Sequence, residues 1–352
     1  MDSSKKSRRG YIISIGVLLV LLTICVIVFR DKLPDIITAV KDIPTERVII
    51  LLCMGMIYQL IDTAMCLVLV RSRLPELSYL QAFELTMTGV FGMVCSNSII
   101  TIPTQSFYLY TLGLDVGHTV GLMTVKYVFH KLMIFFAALL ALLCSFDWLN
   151  AAVPGAMKYL LPGFALCGVI ILFLVLLCTW DKLRRLLYAI LDKLPSDGKW
   201  GEKKEGWRRN VDLMYTEMQN LLGQKKRVAA ICAINALKFI VVYSIPFMAL
   251  RALGCDAPDY MHALALTALV WLIAGVLPNV SGLGPLDAAF ALLFGSFAAE
   301  SMVSASLVLY RASTYFVPFI VSIPTVYIMQ KRARSAFAAE KSKQQNTERE
   351  TV

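Results

Sequence analysis

The chain has 352 residues, of which 58% are hydrophobic, with a mean hydropathy of +0.68 and a formal charge of +10. These values exclude a soluble globular domain and indicate a polytopic helical membrane protein, because hydrocarbon admits only helices and closed barrels and the apolar runs here are long. The basic balance marks loops beside anionic lipid, and no basic-aromatic interleaving on a large soluble segment points to nucleic acid.

In chain order, MDSSKKSRRG precedes a first apolar run at 11–29. That run is too long for a signal peptide and no small-x-small cleavage site follows, so it reads as an uncleaved span. Further full spans are expected at 48–70, 119–146, 156–180, 228–252 and 302–329, each near the roughly 20 residues that crossing requires. Two more regions are apolar but interrupted: 79–114, broken at CSNSIITIPT, and 260–299, broken at PNVSGLGP.

Charge placement orders these segments. Lys5, Lys6, Arg8 and Arg9 put the N-terminus in the cytoplasm, and the basic loop 181–227 should share that side. Both conditions hold only if 79–114 enters and leaves on one side, as a re-entrant hairpin or as two short crossings. Region 260–299 does the same from the opposite side, and Lys331, Arg332 and Arg334 bring the C-terminus into the cytoplasm of a cell membrane protein. The expected fold is therefore all-α: a polytopic integral membrane bundle of six full spans and two broken or re-entrant helical hairpins. Two hairpins of opposite orientation are the hydropathy pattern of an inverted-repeat transporter whose site lies where the breaks meet. Residues 1–334 form the transmembrane domain. Within loop 181–227, residues 203–222 place Trp207, Val211, Met214, Met218 and Leu221 on one helical face, which suits a helix in the membrane interface or one packed on the bundle. The tail 335–352 is expected to be disordered.

A broken helix in hydrocarbon costs several kcal/mol for each unpaired backbone group, so it must line a wet cavity or be buried in protein. The break at 277–285 carries Asn279, Ser281, Gly282 and Gly284, and Pro285 opens the next helix with Asp287 in its first turn. Amide groups at that helix start would attract an anion such as phosphate; the alternative is a structural kink. Asp62, Glu84, Lys126, Lys131, Lys238, Asp287 and Arg311 lie at membrane depth, where charges are costly and face interiors. Lys126 and His130 share a helix face. Four cations against three acids favour an anionic headgroup, although Asp287–Arg311 and Asp62–Lys238 could equally be structural salt bridges. The first break offers Asn97, Thr101 and Pro103 beside Ser96, Ser98, Thr104 and Gln105, either to bond a headgroup or as polar contacts between helices. The nine cysteines lie mostly in apolar runs without a CxxC pair, and three scattered His give no metal spacing, so neither a metal nor a cofactor is expected.

PNVSGLGPLDAAFALLFG followed by LVLYRASTYFVPFIVSIP resembles the signature pair of the lysylphosphatidylglycerol synthase transmembrane, or flippase-like, family. Pro278, Gly282, Gly284 and Asp287 fall on that family's Pro…Gly-Gly-x-Gly…Glu stretch, and Tyr310, Arg311 and Pro318 on its aliphatic-Tyr-Arg stretch. NSIITIPTQSFYLYTLGLDVGHTVGLMTVKYVFHKL resembles the family's Asn…Pro…Gly-Glu…Arg region. Ser281 replaces a glycine, Asp287 replaces Glu, SFYLYT lacks the charged part, and His130 and Lys131 stand where Glu-Arg would be. The resemblance implies a phospholipid translocase handling an anionic or aminoacylated lipid such as phosphatidylglycerol or its lysyl ester. A second reading is the membrane part of a phosphatidylglycerol lysyltransferase system conferring resistance to cationic peptides. A third is a non-catalytic scaffold for envelope assembly. No acyltransferase site is read in these residues, so catalysis would fall to a separate aminoacyltransferase or other envelope enzyme. The expected partners are that enzyme, phospholipid and the membrane, with a homodimer left open. The implied lipid-binding set is Asn97, Thr101, Pro103, Lys126, His130, Lys131, Lys238, Asn279, Ser281, Gly282, Gly284, Asp287, Tyr310 and Arg311.

Overall fold

A computed structural model describes residues 38, 41, 43–95, 101–152, 157–193, 199–276 and 284–331. The expected span at 11–29 and the tail 335–352 lie outside the described residues, as do Asn97, Asn279, Ser281 and Gly282. Every regular element among the described residues is helical. The chain is an all-α polytopic membrane protein.

Among the described residues, five helices are long and apolar enough to cross a bilayer, and they fall on the five expected spans that the structure describes. They are α1 (Thr45–Val70), α4 (Val116–Ala152), α5 (Met157–Thr179), α8 (Lys225–Ala252) and α11 (Glu300–Lys331). Between them, α2 (Tyr79–Cys95) and α3 (Thr101–Thr111) make one broken pair, and α9 (Tyr260–Val276) and α10 (Pro285–Phe294) make the other. α6 (Asp181–Leu191) and α7 (Lys199–Leu222) fill the basic loop.

The broken pairs are hairpins. The side-chain amide of Gln105 on α3 donates to the carbonyl of Leu85 on α2 at 3.1 Å, and the Tyr108 hydroxyl donates to Glu84. Partners whose numbers fall in one helix as they rise in the other are antiparallel. At 1.5 Å per residue, α3 and α10 rise only about 16 and 15 Å, half the hydrocarbon thickness, so both hairpins turn back inside the bundle. They enter from opposite ends. The open end of α2–α3 adjoins loop 181–227, where Arg73 pairs with Glu217 of α7 at 2.9 Å. The open end of α9–α10 lies at the far end, where His262 stacks on Trp148 of α4 with ring centroids 3.8 Å apart and Trp148 stacks on Phe297.

Helix association in lipid gains little from the hydrophobic effect and depends on close packing and polar contacts. The interior follows that rule. One apolar cluster at the far end joins Leu51, Leu142, Leu266, Phe290 and Phe294. A second, at the loop end, joins Leu69, Leu77, Leu122, Met218 and Ile231. Asp62 and Lys238 fall between the two clusters on α1 and α8, and Lys126 lies on α4 between Val125 and Val128 of the second. A third cluster sets Phe91 of α2 on Phe319 of α11, stacked at 5.9 Å.

α7 packs on the bundle. Met214, Met218 and Leu221 are buried while Trp207 is half exposed, so the predicted face is buried over its C-terminal part only. Arg184 of α6 bonds both Asp181 and Asp212, and the Tyr188 hydroxyl donates to Asp212 at 2.7 Å. Burial, and then the bond to Asp212, push the Tyr188 phenol above its ordinary range.

Residues 312–316 of α11 form a π-helical turn, a local widening often found at functional sites. The Ser313 hydroxyl there donates to the Leu51 carbonyl of α1. Gly55 makes that approach possible, since a Cβ on it would sit 1.9 Å from the Ser313 carbonyl oxygen. Gly55→Ala should therefore separate α1 from the π-turn and destabilise the protein by about 1–3 kcal/mol; thermal unfolding of the detergent-purified variant against wild type measures this.

Candidate lipid-headgroup site

The short helices of the two hairpins border one mid-bundle cavity of about 600 Å³. This is a common size for a small-molecule site. Thr86, Gly89, Met93, Thr101 and Gln105 line it from the first hairpin, and Ala274, Gly275, Pro285 and Leu286 from the second. α1 contributes Tyr58, Gln59 and Asp62; α4 contributes Lys126, Tyr127, His130 and Lys131; α11 contributes Tyr310, Arg311, Thr314 and Tyr315.

Two groups of charges are built into the wall. In the first, Asp62 accepts from Lys126 at 3.0 Å through Oδ2 and from Lys238 at 2.9 Å through Oδ1. Lys238 also donates to Nδ1 of His130 at 3.2 Å. That acceptor role assigns the imidazole proton to Nε2. One carboxylate is thus shared by two ammonium groups, and Lys238 is 1% exposed. A carboxylate in hydrocarbon is tolerated only when paired, and a second cation leaves this group with one positive charge in excess.

The second group sits at the tip of the α9–α10 hairpin. Gly284 takes a left-handed φ of 97° as it leads into α10, and its amide donates to Oδ2 of Asp287 at 2.7 Å. The other oxygen of Asp287 accepts from Nε of Arg311 at 2.7 Å. Asp287 therefore caps the helix start and orients Arg311 together. The chain's own carboxylate thus takes the Gly284 amide. Arg311 is left with Nη2 buried and without a hydrogen-bond partner, and the hydroxyl of Thr101 is unpartnered as well. Unsatisfied donors of this kind are rare and costly in a finished interior, and both residues line the cavity.

Lys131 reaches the Gly275 carbonyl at 3.4 Å and lies over the Tyr127 ring at 5.4 Å, with no carboxylate among its described contacts. Tyr310, 1% exposed, accepts a hydrogen bond from Nε1 of Trp271 at 2.7 Å.

Of the sequence-derived set, Thr101, Lys126, His130, Lys131, Tyr310 and Arg311 line one cavity, and Asp287 acts through Arg311. Lys238 stands behind the wall, clamped to Asp62 and His130. Pro103 is exposed on α3 and Gly284 on the lead into α10, and neither lines the cavity. Glu84 faces Tyr108 between α2 and α3. Both salt bridges that the sequence offered as alternatives are present, and one partner of each, Asp62 and Arg311, lines the cavity.

Several lining residues escaped the sequence reading. Tyr58 and Gln59 lie four and three residues before Asp62, so helical periodicity from that acid would have found them. Trp271 sits in an unbroken apolar run and gives no signal.

The class defined by this arrangement is a polytopic helical membrane protein with a charged mid-bundle cavity between two opposed broken hairpins. The chain belongs to the family of the lysylphosphatidylglycerol synthase TM region, whose model matches residues 11–322. It is thereby a membrane component related to lysylphosphatidylglycerol metabolism. No curated protein matches the chain.

Replacing Asp62 by Asn would leave two buried ammonium groups without a counter-charge. A loss of about 3–5 kcal/mol is expected, by analogy with broken buried ion pairs. The double variant Asp62→Asn with Lys238→Met should recover part of it, and a double-mutant cycle on detergent-solubilised protein measures the coupling.

Proposed function

We propose that the chain is a lipid translocase of the cell membrane, which moves an anionic phospholipid between leaflets by passing its headgroup through the mid-bundle cavity. The observation that carries this reading is the buried, unpartnered Nη2 of Arg311 on a residue that lines a cavity bordered by helices of both broken hairpins. A guanidinium edge held by Asp287 suits a phosphate oxygen. Opposed hairpins around one site are the architecture of alternating access, with each tip gating one side.

In this reading residues 1–334 are one transmembrane domain, loop 181–227 and both termini are cytoplasmic, and Lys126 and Lys131 draw the phosphate in. Asn97, Ser281, Gly282 and Asn279 belong to the two tips and contact the headgroup during passage. The membrane half of a lysyltransferase system stays a second reading on the strength of the family match, with an aminoacyltransferase as its partner.

Arg311→Ala should abolish lipid movement in proteoliposomes while the protein stays folded. Acyl-labelled phosphatidylglycerol with an external quencher reads the flux, and unchanged flux in the variant would overturn this site assignment. Single cysteines at Asn97 and Asn279 should be labelled from opposite faces of the membrane; labelling of both from one face would overturn the alternating arrangement.

A further inference from the structure

We infer that the headgroup this cavity takes carries two negative charges, as a lipid phosphomonoester does, and is not an aminoacyl ester. The inference rests on the translocase reading above and narrows its substrate class.

The argument is one of charge. Four cations belong to the cavity wall or stand directly behind it: Lys126, Lys131, Lys238 and Arg311. Two carboxylates face them, Asp62 and Asp287. Asp62 is committed twice over, to Lys126 and Lys238. Both oxygens of Asp287 are occupied, one by the Gly284 amide and one by Arg311. The described wall therefore carries a surplus of two positive charges, and both of its carboxylates are already paired with cations.

Placement sharpens the point. Among the residues lining the cavity, the donors without a partner are Nη2 of Arg311 and the hydroxyl of Thr101. Lys131 adds an ammonium whose contacts among the described residues are a carbonyl at 3.4 Å and the Tyr127 ring. An ammonium-bearing headgroup such as the lysyl ester would bring two further positive charges and only one negative charge into this wall. Like charges at low dielectric repel strongly, and the two acids of the described wall are already paired with cations. A phosphomonoester, with two negative charges above its second ionisation near pH 6, balances the surplus and offers three acceptor oxygens to three sets of donors. A phosphodiester such as phosphatidylglycerol balances half of it.

The test is equilibrium binding of acyl-labelled lipids to the full chain in neutral detergent at pH 8, alongside flux in proteoliposomes. Phosphatidic acid, phosphatidylglycerol and lysyl-phosphatidylglycerol are compared. Phosphatidic acid is expected to bind about tenfold more tightly than phosphatidylglycerol, the effect of one added charge-assisted contact, with the lysyl ester weakest. Lysyl-phosphatidylglycerol binding as tightly as phosphatidylglycerol or more tightly would overturn the inference. Lys131→Gln should collapse the advantage of phosphatidic acid towards parity and Lys131→Arg should retain it; an undiminished advantage in Lys131→Gln counts against the charge argument. The wild-type order decides alone if Lys131→Gln does not fold. Displacement of labelled phosphatidic acid by an equal concentration of inorganic phosphate would reassign the site to a soluble anion. Selective binding without any protein-dependent flux would overturn the translocase reading and leave the charge selectivity standing.

Discussion

One carboxylate organises the middle of this bundle. Asp62 of α1 binds an ammonium from α4 and another from α8, and through Lys238 it reaches His130. Hydrocarbon permits a charge only where its partners are already in place. These three helices can therefore pack in one register only, with residues 62, 126 and 238 at one depth. The apolar clusters above and below that layer add contact area but little register, since aliphatic side chains pack almost as well against lipid. The polar layer defines where the bundle can hold a wet cavity, and the broken hairpins end there.

The two hairpins solve a common problem in related ways. Each must end a helix inside the membrane without leaving its backbone unpaired. The second does so with Asp287, which takes the Gly284 amide and spends its other oxygen on Arg311. A capping carboxylate thereby becomes the support of a guanidinium whose outer edge is unused. The first hairpin relies on Gln105 and Tyr108, which reach across from α3 to the Leu85 carbonyl and to Glu84 of α2. Both devices tie the short helix of a hairpin to a neighbouring helix.

The halves of the molecule share an element order: long helix, short helix, break, short helix, long helix. α1 to α4 and α8 to α11 both follow it. α1 packs along α8, the first helix of each set on its counterpart. α4 lies on α9, and α11 lies on α2 through Phe91 and Phe319. No repeat is visible in the residues. The likeness is one of lengths and breaks, which is what membrane thickness constrains, whereas packing surfaces can diverge freely.

The sequence by itself determined the class, the number and position of the described spans, and the opposed orientation of the hairpins. Each follows from local quantities: apolar length against bilayer thickness, and the placement of lysine and arginine. It also named most of the charged wall, because any ion at membrane depth must have a reason to be there. It could not say which ions pair. Asp62–Lys238 and Asp287–Arg311 were visible as options, but the sharing of Asp62 with Lys126 and the capping role of Asp287 depend on helix rotation and depth. Pro103 was grouped with the site because it flanks a break, yet the direction of a side chain is set by helix phase. Tyr58, Gln59 and Trp271 entered the wall by the same route. Depth is written in the hydropathy of each segment alone; facing is a relation between segments that only the packed bundle fixes.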